Sequence, residues 1–531
     1  MESLIDREAR TAPLEFRPTE IAARIRCVRE SLHVVREVST GRLGLLPAGV
    51  RADTFSHEVV ASLPPSYPEW LGDQSFLEAH GVRFSYVAGE MANGIATARM
   101  VVVMARAGML GFFGSGGLSL QRIEQGLTAI RSELGGTDAA WGSNLIHSPS
   151  EPRLEEATVE LFLKVGLRRV SASAFMALSP HVVWYAYRGM TPDAQGRIRR
   201  PNHVFAKVSR PEVAEAFLRP APDKILAQLV QQGKLTALEA KLGSRLPVAE
   251  DITAEADSGG HTDNRPLNVL FPVLCSLRDR VHAELRYDRP VRIGAAGGLG
   301  NPSAVAAAYG LGAAYVLTGS INQAAVEAGI APDAKAMLAQ AGMADVAMAP
   351  AADMFEQGVR LQVLKRGTMF APRAARLYDL YRKYDSLEAI PDAERASLEK
   401  SIFGQPLAAV WDETRAFWQT REPEQARRAE TDPRHRMGLV FRWYLGKASR
   451  WAIDGTPGRA ADYQLWCGPA MGSFNTWVRG SFLEPVENRT VVQIALNLLE
   501  GAATVQRAQQ LRSFGVPVPA EAFDFRPRQL C

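Results

Sequence analysis

The chain has 531 residues, 47% of them apolar and 22% charged, with a net charge of +4. These proportions describe a globular protein with enough apolar material for a large core, and the charge is too small for a general nucleic-acid binder. Cys27, Cys275, Cys467 and Cys531 form no CxxC or other metal spacing, which speaks against a cysteine-based metal site and fits a reducing compartment.

Residues 1–64 read as a mixed N-terminal segment, with one helix around Ile21 to Leu32 and a loop at GRLGLLPAGV (41–50). MESLIDREAR lacks the apolar core of a signal peptide, and MVVVMARAGMLGFF is broken by Arg106 and too short to span a bilayer. A soluble cytoplasmic protein is therefore expected, with no membrane partner.

From about residue 65 a beat appears. Strands are predicted at RFSYVAGE (83–90), MLGFFG (109–114), AAWGSNLIH (139–147), LRRVSASAF (167–175), HVFAKVS (203–209), DITAEADS (251–258), VRIGAAGG (291–298) and AAYVLTGS (313–320). Helices are predicted between them, among them 119–134, 155–166 and 302–310. The last has Asn301 as N-cap, Pro302 in its first turn and Gly310 and Gly312 at its exit. Alternating strand and helix implies a parallel sheet. Eight units favour an α/β fold of the (β/α)8 TIM-barrel type over residues 65–330; an open doubly wound sheet is the alternative. After Gln323 helices are expected at 331–345, 372–386, 391–402 and 407–430 with no strand beat, then a Trp- and Arg-rich tail ending in a helix at 490–512. Residues 331–531 thus read as an additional, mainly helical C-terminal region packed on the barrel, serving substrate or carrier protein.

RIGAAGGLGNPSAV (292–305) is a poor dinucleotide fingerprint: Ser303 stands at its third glycine position, and no Asp or Glu occurs between Arg292 and Glu327. As the loops after the last two strands of a barrel, Gly297-Gly298 and Thr318-Gly319-Ser320 are instead placed to hold a phosphate, with backbone close approach from the glycines and hydroxyls from Thr318 and Ser320. Plain tight turns are the alternative.

Other candidates sit at predicted C-terminal strand ends. In YVAGEMANGIAT (86–97), Ala88, Gly89, Ala92, Asn93 and Gly94 let a flat ring lie against backbone. Asn144 offers a neutral donor and acceptor. Lys207 shares a strand face with Phe205 and Ser209, where it either supports the negative charge of a reduced flavin or reaches solvent. His261, in ADSGGHTDNRP (256–266), suits acid–base work or a plain loop hydrogen bond, with Asp257 and Asp263 as orienting partners or turn residues.

In combination YVAGEMANGIAT, WGSNLIHSP, FAKVSRPEVAEAFL, ADSGGHTDNRPL, GAAGGLGNPSAV and VLTGSINQA resemble the PfaD family, the trans-acting enoyl reductases of polyunsaturated fatty acid and trans-acyltransferase polyketide synthases. FEQGVRLQVLKRGTMFAPRAARLYDLYRKYDS (355–386) and a stretch over 441–484 extend the likeness, which covers roughly residues 65 to 500. The resemblance implies an FMN-binding barrel taking electrons from NADPH. It implies that Gly297, Gly298, Gly319 and Ser320 hold the FMN phosphate and that Gly259, Gly260 and His261 form the family's Gly-Gly-His loop, with His261 as the catalytic residue; Ala88, Gly89, Met91, Asn93, Asn144, Lys207 and Thr318 complete the FMN contacts expected from the residues themselves. Asp-Ser before the Gly-Gly and Thr-Asp-Asn after the histidine depart from the related E-A/S-G-G-H-x-G pattern. The implied partner is an enoyl-acyl carrier protein; a homodimer is left open. An acidic carrier calls for a basic docking face, and the candidates are Arg427, Arg428, Arg434, Arg436, Arg442 and Lys447 with Phe441, Trp443 and Tyr444, or LKRGTMF (364–370). The rival functions are a nitronate monooxygenase, a non-catalytic component of a synthase complex and a sugar- or nucleotide-phosphate isomerase.

Overall fold

The computed structural model describes residues 15–50, 55–135, 139–148 and 151–530. The N-terminal part is more ordered than its sequence suggests. After a helix at Pro18–Arg26, strands β1 (Leu32–Glu37), β2 (Leu43–Pro47) and β3 (His57–Leu63) form an antiparallel sheet in the order β2-β1-β3. Half of the stretch 41–50 expected to be loop is therefore β2. Its glycines mask an alternation in which Leu45 joins Leu32, Val34 and Leu63 in a small core with Ile21, Ile25 and, from the other end of the chain, Ala508 and Leu511. Buried Arg507 ties the two ends together by donating to the carbonyls of Cys27 (2.7 Å) and Glu30 (2.6 Å).

All eight barrel strands lie inside their predicted stretches: β4 (Tyr86–Ala88), β5 (Leu110–Phe113), β6 (Gly142–Ile146), β7 (Arg169–Ser173), then, after a small hairpin of β8 (Thr191–Pro192) and β9 (Ile198–Arg199), β10 (His203–Val208), β11 (Asp251–Glu255), β13 (Arg292–Ala296) and β14 (Val316–Thr318). They close in the order β4-β5-β6-β7-β10-β11-β13-β14, every pair parallel. This is the (β/α)8 barrel; the open sheet is excluded by the β14–β4 pairing. Strand alternation sorts the side chains. Val87, Leu110, Phe112, Phe205, Ala296, Tyr315 and Leu317 fill the interior with Phe76, whose ring stacks on Tyr315 at 4.6 Å, while Ile252, Ile293 and Val316 face the helices. Gly294 is small because Tyr315 lies against it. The Asn301 cap is as predicted, accepting from the Ala304 amide at 2.9 Å.

The C-terminal region is mainly helical, but the expectation of no strands there fails. β15 (Val346–Pro350) and β16 (Arg360–Leu364) pair antiparallel, and β16 also pairs with β12 (Gly260–His261), a two-residue strand on the loop after β11. The helices are Pro332–Ala339, Phe370–Lys383, Asp392–Leu398, Leu407–Arg421, Pro423–Thr431, Pro433–Asp454, Pro469–Val478 and Val491–Ser513. The predicted 407–430 helix is two, broken at Glu422-Pro423, where a proline forces the preceding residue out of helical geometry. One apolar core runs from the barrel helices through Leu498, Leu499 and Ala502, and a side chain on Gly501 would stand 2.5 Å from Pro302. Among the described residues no helix is long and apolar enough to cross a membrane.

Candidate active site

The barrel mouth is floored by three charges. Lys207 is two residues above Phe205 on the inner face of β10, as alternation requires. Its Nζ lies 3.0 Å from Glu90 Oε1 and 3.2 Å from Glu255 Oε1. Glu255 stands at the end of the adjacent strand β11. Glu90 comes just after β4, four strands from β10 counted either way round the ring, so the Glu90–Lys207 pair spans the mouth. Glu90 Oε1 also accepts from Ser173 Oγ at 2.7 Å, while its Oε2 is buried with no partner among the described residues. Burial works against the lysine charge, but the carboxylates of Glu255 and Glu90 more than offset it and hold the ammonium above the usual lysine range. Lys207 therefore does not extend into solvent; its side chain is 17% exposed.

YVAGEMANGIAT folds as a tight turn against the loop after β5. Asn93 (φ 59°) donates its amide to the Gly116 carbonyl at 2.7 Å, and the Gly94 amide bonds the Gly114 carbonyl at 2.8 Å. Ala88 and Met91 are buried. Gly89 sits against Leu317 and the Thr318 carbonyl, leaving no room for a side chain. Asn144, on β6, accepts from Ser115 Oγ (3.1 Å) and the Gly116 amide (2.9 Å), which fixes its amide plane.

The two glycine loops lie side by side after β13 and β14. Gly297 (φ 89°) cannot carry a side chain, since a Cβ would stand 2.6 Å from the Ala256 carbonyl carbon. Gly298 (φ 72°) and Gly319 differ: a Cβ on either meets no atom within 4 Å. The structure thus has open space over two backbone stretches able to take a phosphate. Thr318 does not face it. Its hydroxyl lies on the outer side of β14, bonded to Tyr86 Oη (2.6 Å) and Asn322 Nδ2 (3.1 Å). Ser320 Oγ accepts from the Gly468 amide at 3.3 Å.

His261 is positioned by the C-terminal region. β12 pairs Gly260 with Gln362 and His261 with Leu361. Gln362 Nε2 donates to Asp257 Oδ1 (2.7 Å) and the Ser258 carbonyl (2.8 Å). Gly259 is packed against the backbone of Trp466 and Cys467, whose thiol burial pushes up to about 12. The carboxylate that orients the histidine is neither Asp257 nor Asp263 but Asp353, which accepts from Nε2 at 3.2 Å. Asp263 instead pairs with Arg210, which holds its carboxyl down at about 2. Burial lowers the proton affinity of His261, but Asp353 and the more distant Glu255 outweigh it, with Lys207 opposing, so the ring sits above the usual histidine range. Sequence reasoning missed Asp353, which lies 92 residues from His261.

The expected basic face is not free. Arg427, Arg428, Arg434, Arg436, Arg442 and Lys447 each pair with a carboxylate: Glu424, Asp432, Asp385, Glu388, Glu356 and Glu413 respectively. Phe441 and Tyr444 are fully buried. Lys365 and Arg366 line a surface groove of about 630 Å³ with Met348 and Met369.

A closed (β/α)8 barrel with open space over two glycine loops, a buried lysine across its mouth and a histidine held from a C-terminal sheet places its candidate site at the C-terminal ends of the strands, where barrel enzymes work. Comparison makes this particular. Residues 384–463 match the family model described as [Acyl-carrier-protein] S-malonyltransferase, inserted helical domain. The chain is 47% identical over 450 residues to one of the polyunsaturated fatty acid synthase subunits of Thraustochytrium sp., covering 83% of this chain and 30% of that protein. It is 43% identical over 437 residues to the polyketide biosynthesis protein PksE of Bacillus subtilis, covering 82% and 56%. It thus spans about half or less of the length of these relatives. The crystal structure of the enoyl reductase domain of MlnA, from the macrolactin biosynthesis cluster of Bacillus amyloliquefaciens, matches with a TM-score of 0.80 at 37% identity, over 84% of this chain and 99% of that one. The chain belongs to the same family as these proteins, the PfaD family.

Proposed function

We propose that this protein reduces the α,β-double bond of enoyl thioesters carried on acyl carrier protein, using FMN reduced by NADPH, in polyketide or fatty acid biosynthesis. The observation that carries the reading is the match along nearly the whole of an enoyl reductase domain joined to a mouth that fits the cofactor. Gly298 and Gly319 leave a cradle that any side chain would fill, and Glu90 Oε2 is a buried acceptor without a donor among the described residues. The helical-insert match over 384–463 is in keeping with a carrier-protein partner.

In this reading Gly297, Gly298, Gly319 and Ser320 hold the phosphate through backbone amides and one hydroxyl. Ala88, Gly89, Met91 and Asn93 shape the wall against which the ring lies. Asn144, locked by Ser115 and Gly116, presents a fixed amide edge, and Gly259 and Gly260 bring their backbone close. Thr318 contributes through its backbone, its hydroxyl being spent on Tyr86 and Asn322. The bound flavin supplies hydride transfer. Lys207 keeps a positive charge at the floor. His261, with Nε2 held by Asp353, carries a proton on its ring that it delivers beside the thioester as charge develops there.

The purified protein is expected to show flavin absorption that bleaches with NADPH in the absence of oxygen and recovers on adding a crotonyl thioester. Recovery with a nitronate but not with the enoyl thioester would favour a nitronate monooxygenase, and failure to take up flavin would overturn the cofactor assignment.

A further inference from the structure

The floor of the mouth carries two carboxylates and one ammonium, a net negative charge. Glu90 Oε1 is fully used by Lys207 and Ser173, whereas Oε2 is buried without a donor among the described residues. Such an oxygen is costly unless something fills it: a ligand donor or a proton. On the strength of the flavin reading above, we propose that Glu90 is the proton acceptor of this site, taking one proton on Oε2 each time the cofactor is reduced.

The balance is simple. Reduced nicotinamide delivers two electrons and a proton together as hydride, so the flavin gains one negative charge. Above a floor already net negative, a second negative charge is disfavoured in a site of low dielectric. A proton from solvent, placed on Glu90 Oε2, cancels it. When hydride leaves for the β-carbon of the substrate, the flavin charge disappears and the proton leaves Glu90. The way in is short, because Lys207 and Glu255 are partly exposed (17% and 16%) while Glu90 is 3% exposed. The titratable groups facing Glu90 are Lys207 and Glu255, with Ser173 as neutral donor. Tyr315 lies within range of Glu90 but is kept neutral by burial, and His261 is near enough to feel Lys207 and Glu255.

The test is a potentiometric titration of the flavin-loaded protein across the neutral pH range. Expected is an uptake of two protons per two electrons, giving a midpoint potential that falls with pH twice as steeply as for one proton. Glu90→Gln is isosteric and is expected to bind flavin and halve that slope. Glu255→Gln gives the second reading: it leaves Lys207 paired with Glu90 on a floor without net charge, so reduction adds the first negative charge rather than the second, and the slope is expected to fall to that of one proton. A one-proton slope in the wild type, or a two-proton slope retained in either variant, overturns the proposal. If the protein shows no flavin absorption after loading, the cofactor reading itself fails, and that is seen before any titration begins.

Discussion

The barrel carries a buried charge cluster at each end, and the two are built on opposite terms. At the bottom, Asp251 of β11 accepts from Arg292 Nε (2.6 Å), Arg292 Nη2 (2.9 Å) and His80 Nε2 (3.0 Å), and His80 Nδ1 accepts from Arg169 Nε at 3.3 Å. Both carboxylate oxygens of Asp251 and both imidazole nitrogens of His80 have partners. At the top, Glu90 keeps one oxygen bare, and Lys207 and Glu255 remain partly exposed. A satisfied cluster at the N-terminal ends of the strands stabilises the barrel. An unsatisfied one at the C-terminal ends, where barrel enzymes work, is what the proposed function would use to receive a ligand.

The largest expected effect separates the two ends. Asp251→Ala leaves Arg292 buried without its counter-charge and is expected to cost about 3–5 kcal/mol, read as a drop in the denaturation midpoint. Glu90→Gln, which removes no hydrogen-bonded atom from a packed layer, is expected to cost no more than about 1 kcal/mol. Equal losses at the two sites would break the distinction and make both clusters structural.

The glycines give the next contrast, within the mouth itself. Gly297→Ala drives a Cβ into the Ala256 backbone at a positive φ and is expected to destabilise the fold by more than the roughly 1–2 kcal/mol of the left-handed backbone alone. Gly319 has φ −124° and open space, so Gly319→Ala is expected to leave stability within about 0.5 kcal/mol of wild type. Its methyl group enters the cradle, and flavin affinity is expected to fall about tenfold or more, since lost phosphate contacts of about 1.4 kcal/mol already give that factor. Unchanged affinity would show that the cradle holds nothing.

The eight barrel strands were legible because each is a short apolar run closed by a turn signal, which is how a strand buried on both faces reads. Strands β2, β15 and β16 were not. VAMAP and RLQVL carry no clean alternation, and β16 gains order from β12, two residues long and a hundred positions away. The glycine loops were visible as composition. Their inequality was not: Gly297 is wedged and Gly298 is open, and only the packing shows it. Glu255 could have been found, because an inward lysine on one strand needs a carboxylate near the same height on the next. Glu90 lies within YVAGEMANGIAT but faces Lys207 across the ring, and Asp353 reaches His261 from another part of the chain. No local pattern reports either contact.

Acid should damage the bottom cluster first. Burial holds His80 below the usual histidine range despite the pull of Asp251. The stability that comes from keeping the ring neutral is therefore full above about pH 6.5 and shrinks as pH falls from there toward its lowered folded value. Arg292 and His80 overcome burial to hold Asp251 well below the carboxylate range. That contribution is present above about pH 3.9 and is lost as pH falls through the folded value. Thermal melts are thus expected to fall in two stages on acidification. Asp251→Asn is expected to erase the lower one.

The histidine at the top has the opposite sign, and this is the smallest and sharpest test. His261 is raised by Asp353, so its charged form is favoured in the folded state. Its stability contribution is present below about pH 6.5 and lost as pH rises through the raised value. The ring is 36% exposed, so water screens most of this, and the readout is kinetic rather than a melt. If His261 gives up the proton, kcat/KM for an enoyl thioester falls on the alkaline side as the ring deprotonates. Asp353→Asn removes the charge that holds the ring up. The alkaline limb is expected to move to lower pH, with kcat at low pH nearly unchanged, because the protonated ring is still there. A His261→Gln variant should flatten the limb. If Asp353→Asn lowers kcat equally at all pH values, Asp353 acts by holding the β12 loop in place rather than by holding a proton on His261.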